Sequence, residues 1–444
     1  MRNLANELLG SRFACECGRE HLLPIRQFVY EPGAVDALGE IVREASGAKR
    51  AVVVADVRTW EVCGRRALNV LRRSGCHAEQ MLVADGPHDG PVCDDATFGA
   101  LLPRLREAQA DVVVAVGSGV INDLCKWTSF ELGLPYVVVA TAASMNGYAA
   151  ANVAARIDGV KVLVEARPPV AVIAEPAVIE QAPREMTTAG FGDTIAKYQS
   201  NTDWAMDNLL SDEYYCGFCA GIVNDIEHLY LDHPEDVAKG NSRAVGGLFE
   251  ALFWTGAAMT LVGTSAPASG GEHLLSHTLD MAADVHQRRH DLHGRQVGIG
   301  TLFSAALYER ILALEAPAPA SLPARVDRAF WSSPPVFEAI AKQYEAKRAN
   351  LEIAARSIAK SDVWDRLRAC VAPLTKSPAT IQDWLRRAGG ALTAADIGCS
   401  REQLASAVLH MHEIRKRFTV VDLAWLVGAL PGAADEIIDE WLIG

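Results

Sequence analysis

Three separated segments of this 444-residue chain carry side chains of the kind that hold a metal ion. The first is Ala189-Gly190-Phe191-Gly192-Asp193. The second is Gly270-Gly271-Glu272-His273, continued by Leu274-Leu275-Ser276-His277. The third is Asp291-Leu292-His293-Gly294. His273 and His277 are four residues apart, which places both on one face of a helix, one turn apart. One carboxylate and two imidazoles make a three-ligand site with open positions, suited to a divalent ion acting as a Lewis acid. The plainer readings are polar groups lining a cleft and, for Asp193, a carboxylate at a helix N-terminus. Cys15-Glu16-Cys17-Gly18 with His21 is like part of a zinc knuckle, without a second ligand pair at suitable spacing. His286 and His290, flanking Arg288 and Arg289, read as a solvated loop.

A second constellation suits an anion. Gly117-Ser118-Gly119 follows the apolar run Asp111–Val116, and after Val120 the residues Ile121 and Asn122 open a helical pattern. Glycines at a strand-to-helix turn let a phosphate approach the backbone, where free amides and the helix dipole meet it. The turn lacks the full G-x-G-x-x-G spacing, and a simple tight turn explains it equally well. Asp56, after Ala51–Ala55, is placed to accept hydrogen bonds from an adenosine ribose and to repel a 2′-phosphate, which favours NAD over NADP. Its plain alternative is a helix cap. Thr141-Ala142-Ala143-Ser144, after Tyr136–Ala140, presents hydroxyls and amides at the same end of the sheet.

The elements that must position these groups fall into two kinds. Strand patterns at Ala51–Ala55, Gln80–Ala84, Asp111–Val116 and Tyr136–Ala140 alternate with helical patterns at Thr59–Arg73, Asp95–Ala108 and Asn122–Leu132. That alternation predicts a parallel sheet covered by helices. Beyond about Pro183, helical patterns dominate: Thr187–Asn208, Ser242–Leu261, Gly271–Asp284, Val297–Glu315, Ala339–Ala359 and Arg401–Phe418. The expected architecture is an α/β dinucleotide-binding domain over 1–183 and an all-helical metal- and substrate-binding domain over 184–444, with the active site in the cleft between them. The patch Ala316–Pro323 reads as a surface loop.

Composition narrows the function. Half the residues are hydrophobic and 22% are charged, enough to bury a large core. A net charge of -13 argues against nucleic acid as a partner, while leaving room for a locally positive pocket that takes a small phosphorylated molecule. Ten irregularly spaced cysteines and an N-terminus without an apolar signal core point to reduced thiols and the cytoplasm. The apolar stretch near Leu248–Ala266, broken by Glu250, Gly256 and Gly263, reads as a buried helix with no membrane insertion. The apolar content suits a homo-oligomer.

Five segments in order carry a wider pattern: GSGVINDLCKW (117–127), TAASMNGYA (141–149), AGFGDTIAKYQSNTDW (189–204), SGGEHLLSHTLDM (269–281) and LHGRQVGIGTL (292–302). Together they resemble the sn-glycerol-1-phosphate dehydrogenases, of the superfamily of iron-containing alcohol dehydrogenases, glycerol dehydrogenases and dehydroquinate synthases. The resemblance extends from about residue 13 to RKRFTVVDLAWLVGAL (415–430). It implies that Asp193, His273 and His293 bind a metal, usually zinc and in some members nickel or iron. It also implies that Asp193 and His277 lie against substrate as catalytic groups, and that Asp56, Gly117–Ile121 and Thr141–Ser144 hold NAD or NADP. The implied reaction is hydride transfer between NAD(P)H and dihydroxyacetone phosphate, with His277 or a water relaying the proton.

Two departures bear on substrate. Asn146 replaces the family's usual Asp at a substrate-facing position, and Ala150 stands where many members have Ser near the cofactor. They leave open another phosphorylated or phosphonate carbonyl compound, or an NAD-binding pseudoenzyme. A sugar-phosphate cyclase fits less well: Arg295 replaces the expected Glu, and the Gly-Gly-Lys segment of those cyclases is missing.

Overall fold

The computed structural model describes residues 7–87, 89–286, 288–316, 322 and 325–443. Most of the 316–323 patch, expected as a loop, lies outside them. Among the described residues there are ten strands: β1 Arg12–Ala14, β2 Glu20–Leu22, β3 Gln27–Tyr30, β4 Arg50–Ala55, β5 His77–Leu82, β6 Val112–Gly117, β7 Tyr136–Ala140, β8 Asn152–Ile157, β9 Val160–Glu165 and β10 Ala171–Ala174. Six form one sheet in the order β3-β10-β7-β6-β4-β5, every pairing parallel. The other four form two small pairs, β1 with β2 and β8 with β9.

Chain composition explains the order. β6, β7 and β10 are buried along their whole length, and β4 from Ala51 onward. A strand covered on both faces reads as a continuous Val/Ala run rather than an alternation. β5 (HAEQML) exposes His77, Glu79 and Gln80 and takes the sheet edge. Those polar residues displace the strand from its expected span, 80–84, to 77–82. β3 and β10, four residues each, carry too little periodicity to be expected.

Strand order also marks a candidate ligand crevice. From β4 the chain moves outward to β5, then returns to the other side of β4 as β6. In an open parallel sheet the crevice beyond the strand ends at such a reversal is the binding place. The residues that leave those ends are Asp56 after β4 and Ser118 after β6.

From Pro176 on, the described regular elements are all helices. The chain clusters into two compact units. The first comprises the residues up to Ile157, Lys161–Gly190 and Gly221–Thr264; the second comprises Asp158–Val160, Phe191–Ala220 and the chain from Ser265 on. The expected single boundary after residue 183 therefore needs correction, because residues 221–264 return to the sheet-bearing unit. The reason is the helix Ser242–Val262, which is apolar nearly all round and must be enclosed. It is long and apolar enough to cross a membrane, but 83% of its apolar window is buried within the structure. The Tyr30 ring lies against Gly246, and the Asn146 carbonyl approaches Gly256.

Two expected helices divide. Thr187–Asn208 is two helices, Arg184–Ile195 and Lys197–Ser211. Arg401–Phe418 is the helix Arg401–His410, a short turn Met411–Glu413, and a segment in which Arg415 adopts a left-handed φ of 62°. Thr59–Arg73 contains a π-type turn at Trp60–Gly64, with the Trp60 ring laid over Gly64.

In the second unit, backbones meet closely at two glycines. A Cβ at Gly192 would lie 2.2 Å from the Gly294 carbonyl oxygen, and one at Gly300 would lie 2.2 Å from that of Glu272. Neither neighbour can yield, since both are main chain. These contacts press the helices Arg184–Ile195 and Gly271–Val285 onto His293–Leu312. Gly300→Ala is expected to destabilise the protein by about 1–3 kcal/mol through overpacking. A lower urea midpoint at unchanged slope checks this; an unchanged midpoint would show that the helices separate without penalty.

Candidate metal centre and dinucleotide site

Asp193, His273 and His293 each offer a ligand atom, and the three atoms lie within 4.8 Å of one another. All three residues belong to the second unit. His273 is the third residue of Gly271–Val285, and His293 is the first of His293–Leu312. Asp193 stands in the last turn of Arg184–Ile195, not at the N-terminal start expected for a simple dipole partner. A carboxylate at that end faces the negative pole of the helix, and this one is only 2% exposed. Such a buried anion requires a cation. His273 Nε2 lies 3.4 Å from Asp193 Oδ1. Burial opposes protonation of His273, but its hydrogen bonds to Asp193 and Glu272 outweigh that and push its pKa up to about 9. The pocket thus demands positive charge, and a carboxylate with two imidazoles fits a divalent ion.

A surrounding layer fixes the ring orientations. His273 Nδ1 donates to Glu272 Oε1 at 2.9 Å. Ser276 Oγ donates to Gln296 Oε1 at 2.8 Å, so it accepts from His293 Nδ1–H, also at 2.8 Å. Both rings are therefore held through Nδ1, leaving Nε2 to face the site, as in carboxylate–histidine–metal arrangements. Glu272 also accepts from the Gly270 amide at 2.6 Å.

Beneath this layer is Asp203, wholly buried. It accepts from the Gly271 amide at 2.7 Å, the Val420 amide at 2.9 Å and the Tyr308 hydroxyl at 2.5 Å. Gly271 and Val420 open two helices, so one carboxylate serves two positive helix ends. Burial and then the nearby Glu272 push its pKa well above the usual carboxylate range, outweighing the three donors that pull it down. Arg417 donates to the Ser269 carbonyl and to Ser265 Oγ, tying down the approach to the same helix.

His277 is 7% exposed, with its ring centroid 5.6 Å from that of His293 and 6.0 Å from that of His273. Arg415 Nη2 donates to His277 Nδ1 at 3.1 Å. A guanidinium cannot accept, so Nδ1 presents its lone pair and the neutral ring carries its proton on Nε2. Arg415, Asp203 and Glu272 escape sequence reasoning about this site. The one available signal for Arg415 is the cationic run before the helix Val420–Leu426.

The anion turn belongs to the first unit. Ser118 does not cap the helix Gly119–Leu132; its Oγ meets Ser144 Oγ and accepts from the Tyr148 hydroxyl at 3.1 Å. The first amide bonded within the helix is that of Asn122, to the Ser118 carbonyl. The amides of Gly119, Val120 and Ile121 precede it at the helix N-terminus, where an anion is favoured. A Cβ at Gly117 would lie 2.7 Å from Ile121 Cβ, whereas one at Gly119 would meet nothing nearer than Met145 Cγ at 3.7 Å. Packing demands glycine at 117 and leaves an open cradle at 119, which fits a pyrophosphate. Lys126, buried in the same helix, donates to Asp123 and to the Gly147 and Asn152 carbonyls at 2.8–3.1 Å. It fastens the 141–152 segment beside the turn.

Asp56 Oδ1 caps the next short helix, accepting from the Arg58 and Thr59 amides at 2.7 and 3.1 Å. Arg58 Nε lies 3.3 Å from the same oxygen and its fork also pairs with Asp85. Thr141 and Ser144 stand beyond β7 as expected. Ala142, Ala143 and Ala150 are enclosed, each at most 1% exposed, and the Ala143 carbonyl abuts Gly190. Their side chains pack the segment, which leaves backbone amides as the groups that they can offer a ligand. Asn146 is half-buried ahead of the turn Gly147–Ala149. A separate cavity of about 380 Å³, lined by Leu279, Ala283, Arg288, Gln296, Asp327 and Phe330 among others, includes none of the three metal-type ligands.

Residues 29–183 match the family model "Iron-containing alcohol dehydrogenase". The chain is 30% identical to the glycerol-1-phosphate dehydrogenase [NAD(P)+] of Bacillus velezensis, over 83% of each chain. It is 29% identical to the enzyme of that name from Geobacillus stearothermophilus, over 95% of this chain and 98% of that one. Among solved structures, glycerol dehydrogenase from Schizosaccharomyces pombe superimposes with a TM-score of 0.60 at 15% identity, covering 94% of this chain and 91% of that one, which speaks to the fold. With its parallel sheet, its helical half and its carboxylate–diimidazole cluster, this chain belongs to the glycerol-1-phosphate dehydrogenase family and is an NAD(P)-dependent oxidoreductase.

Proposed function

We propose that the enzyme reduces dihydroxyacetone phosphate to sn-glycerol 1-phosphate with NAD(P)H, NADH being preferred. The observation that carries this reading is the convergence of Asp193, His273 and His293. These three hold a divalent ion, zinc before nickel or iron. When bound, the ion supplies Lewis-acid polarisation of the carbonyl, and the nicotinamide supplies hydride.

The chain's own groups do the rest. Asp193 keeps a negative charge at the ion and borders the substrate. His277 offers the proton on Nε2 to the oxygen that gains charge, because Arg415 occupies Nδ1. Asn146 hydrogen-bonds a substrate hydroxyl without adding charge. The amides of Gly119–Ile121, with Ser118, Thr141 and Ser144, hold the dinucleotide phosphates and nicotinamide. Asp56 receives the ribose hydroxyls through its second oxygen, and Arg58 beside it tolerates a 2′-phosphate.

Lys197 seats the substrate phosphate. It opens the helix that follows Asp193 and is 4% exposed. Its ammonium lies 5.0 Å from the Tyr198 ring centroid, and that of Lys376 lies 4.9 Å from the same centroid. Burial, and then Lys376, lower the Lys197 pKa to about 7. Two cations crowded on one ring attract a dianion, which favours the protonated lysine. The thiol-rich composition and this nucleotide chemistry favour the cytoplasm, and the large apolar content favours a homo-oligomer.

Zinc-loaded enzyme is expected to oxidise NADH with dihydroxyacetone phosphate and yield the sn-1 product. Lys197→Met is expected to raise KM for dihydroxyacetone phosphate about tenfold, equivalent to ~1.4 kcal/mol, with KM for NADH unchanged. Turnover with no phosphorylated or phosphonate ketone would reduce the protein to a nucleotide binder. His273→Ala should lose the catalytic metal and activity while dinucleotide binding persists; retained metal at full occupancy would remove His273 from the centre. Asp56→Ala loses a helix cap worth about 1 kcal/mol, so the informative quantity is the ratio of affinities. NAD should weaken more than NADP, and equal weakening would separate Asp56 from the ribose.

A further inference from the structure

The Cys15–His21 segment plays no part in the chemistry above, yet its side chains are arranged with care. It forms a hairpin of two three-residue strands, with Phe13 opposite His21 and Gly18 in the left-handed turn (φ 83°). Phe13, Cys15 and Cys17 alternate with exposed residues and share a face. His21, opposite Phe13, shares it too, and is 1% exposed. The ligand atoms of Cys15, Cys17 and His21 lie within 4.8 Å of one another. Cys17 Sγ is 3.4 Å from His21 Nε2.

Two details go beyond proximity. His21 Nδ1 is 2.8 Å from the Leu261 carbonyl oxygen. A carbonyl only accepts, so Nδ1 carries the proton and Nε2 turns its lone pair toward the thiols. A backbone carbonyl behind a metal-bound histidine is the usual means of fixing that tautomer. The spacing also fits. Zinc–sulfur and zinc–nitrogen bonds of about 2.3 and 2.05 Å at a tetrahedral angle put the two ligands about 3.6 Å apart.

We propose that Cys15, Cys17 and His21 bind a second metal ion, zinc, with a structural role separate from catalysis. Both thiols give up their protons on binding, and a fourth group completes the tetrahedron. The hairpin needs such a fastening, because two three-residue strands have little cohesion of their own. Through the Leu261 carbonyl the ion also anchors the hairpin to the end of the helix Ser242–Val262.

Cobalt(II) loading of the full chain tests this. Thiolate ligation to cobalt gives an intense near-ultraviolet charge-transfer band. The Asp193, His273 and His293 centre contains no sulfur and cannot produce it. The wild-type chain should show the band, and Cys15→Ser/Cys17→Ser should lose it together with one equivalent of zinc, while NADH-dependent turnover persists. Should that variant fold poorly, zinc X-ray absorption of the wild-type protein gives the same reading: sulfur scatterers at about 2.3 Å support the site. A sulfur-free zinc shell, a wild-type cobalt protein without the band, or a native mass two hydrogens low from a Cys15–Cys17 disulfide would each overturn it.

Discussion

The helical half depends on one buried carboxylate. Asp203 gathers the amides that open two helices and the hydroxyl of a tyrosine on a third. Its oxygens satisfy two helix ends and a buried hydroxyl at once, so none of the four groups is left without a partner in a dry interior. The helix it starts at Gly271 carries Glu272, His273, Ser276 and His277. The orientation of the candidate ligands is thus inherited, from Asp203 to the helix start and from Glu272 to the His273 ring. Removing one member of such a chain leaves its neighbours buried and unpaired, the expensive case for polar groups in a dry interior.

Glycine sets the distances that charge then exploits. Gly192 and Gly300 let three helices touch at the level of their backbones, where any side chain would hold them apart. Ligands drawn from positions 193, 273 and 293 can then meet around a single ion. Large side chains would stabilise the same bundle by burial but at wider spacing, and the three ligand atoms would no longer converge. In the sheet-bearing unit the same residue type has a different use: Gly117 relieves packing against Ile121, while Gly119 leaves open space at the helix start.

How much of this was legible in the sequence follows from how local each signal is. The buried strands β4, β6 and β7 announce themselves as valine runs, and the turns after them follow directly. β5 was displaced because its edge position lets His77 and Glu79 face water. β3 and β10 were missed because four residues carry too little pattern. The ligand types at 193, 273 and 293 were readable, and ordered motifs tied them together. Arg415 at His277, and Val420 on Asp203, join residues 138 and 217 positions apart, and no local pattern encodes such pairings. The single domain boundary failed for a related reason: the helix Ser242–Val262 has helical character but belongs with the sheet.

All three candidate metal ligands lie within one compact unit, together with the groups that orient them. None of these candidate ligands comes from the unit that carries the glycine turn. On the proposed function, an ion held by this set would stay with one unit while oxidised and reduced coenzyme arrive at and depart from the other. Exchange of the coenzyme and retention of the metal become independent properties, so that selection can retune one, changing the preferred dinucleotide for instance, without disturbing the other.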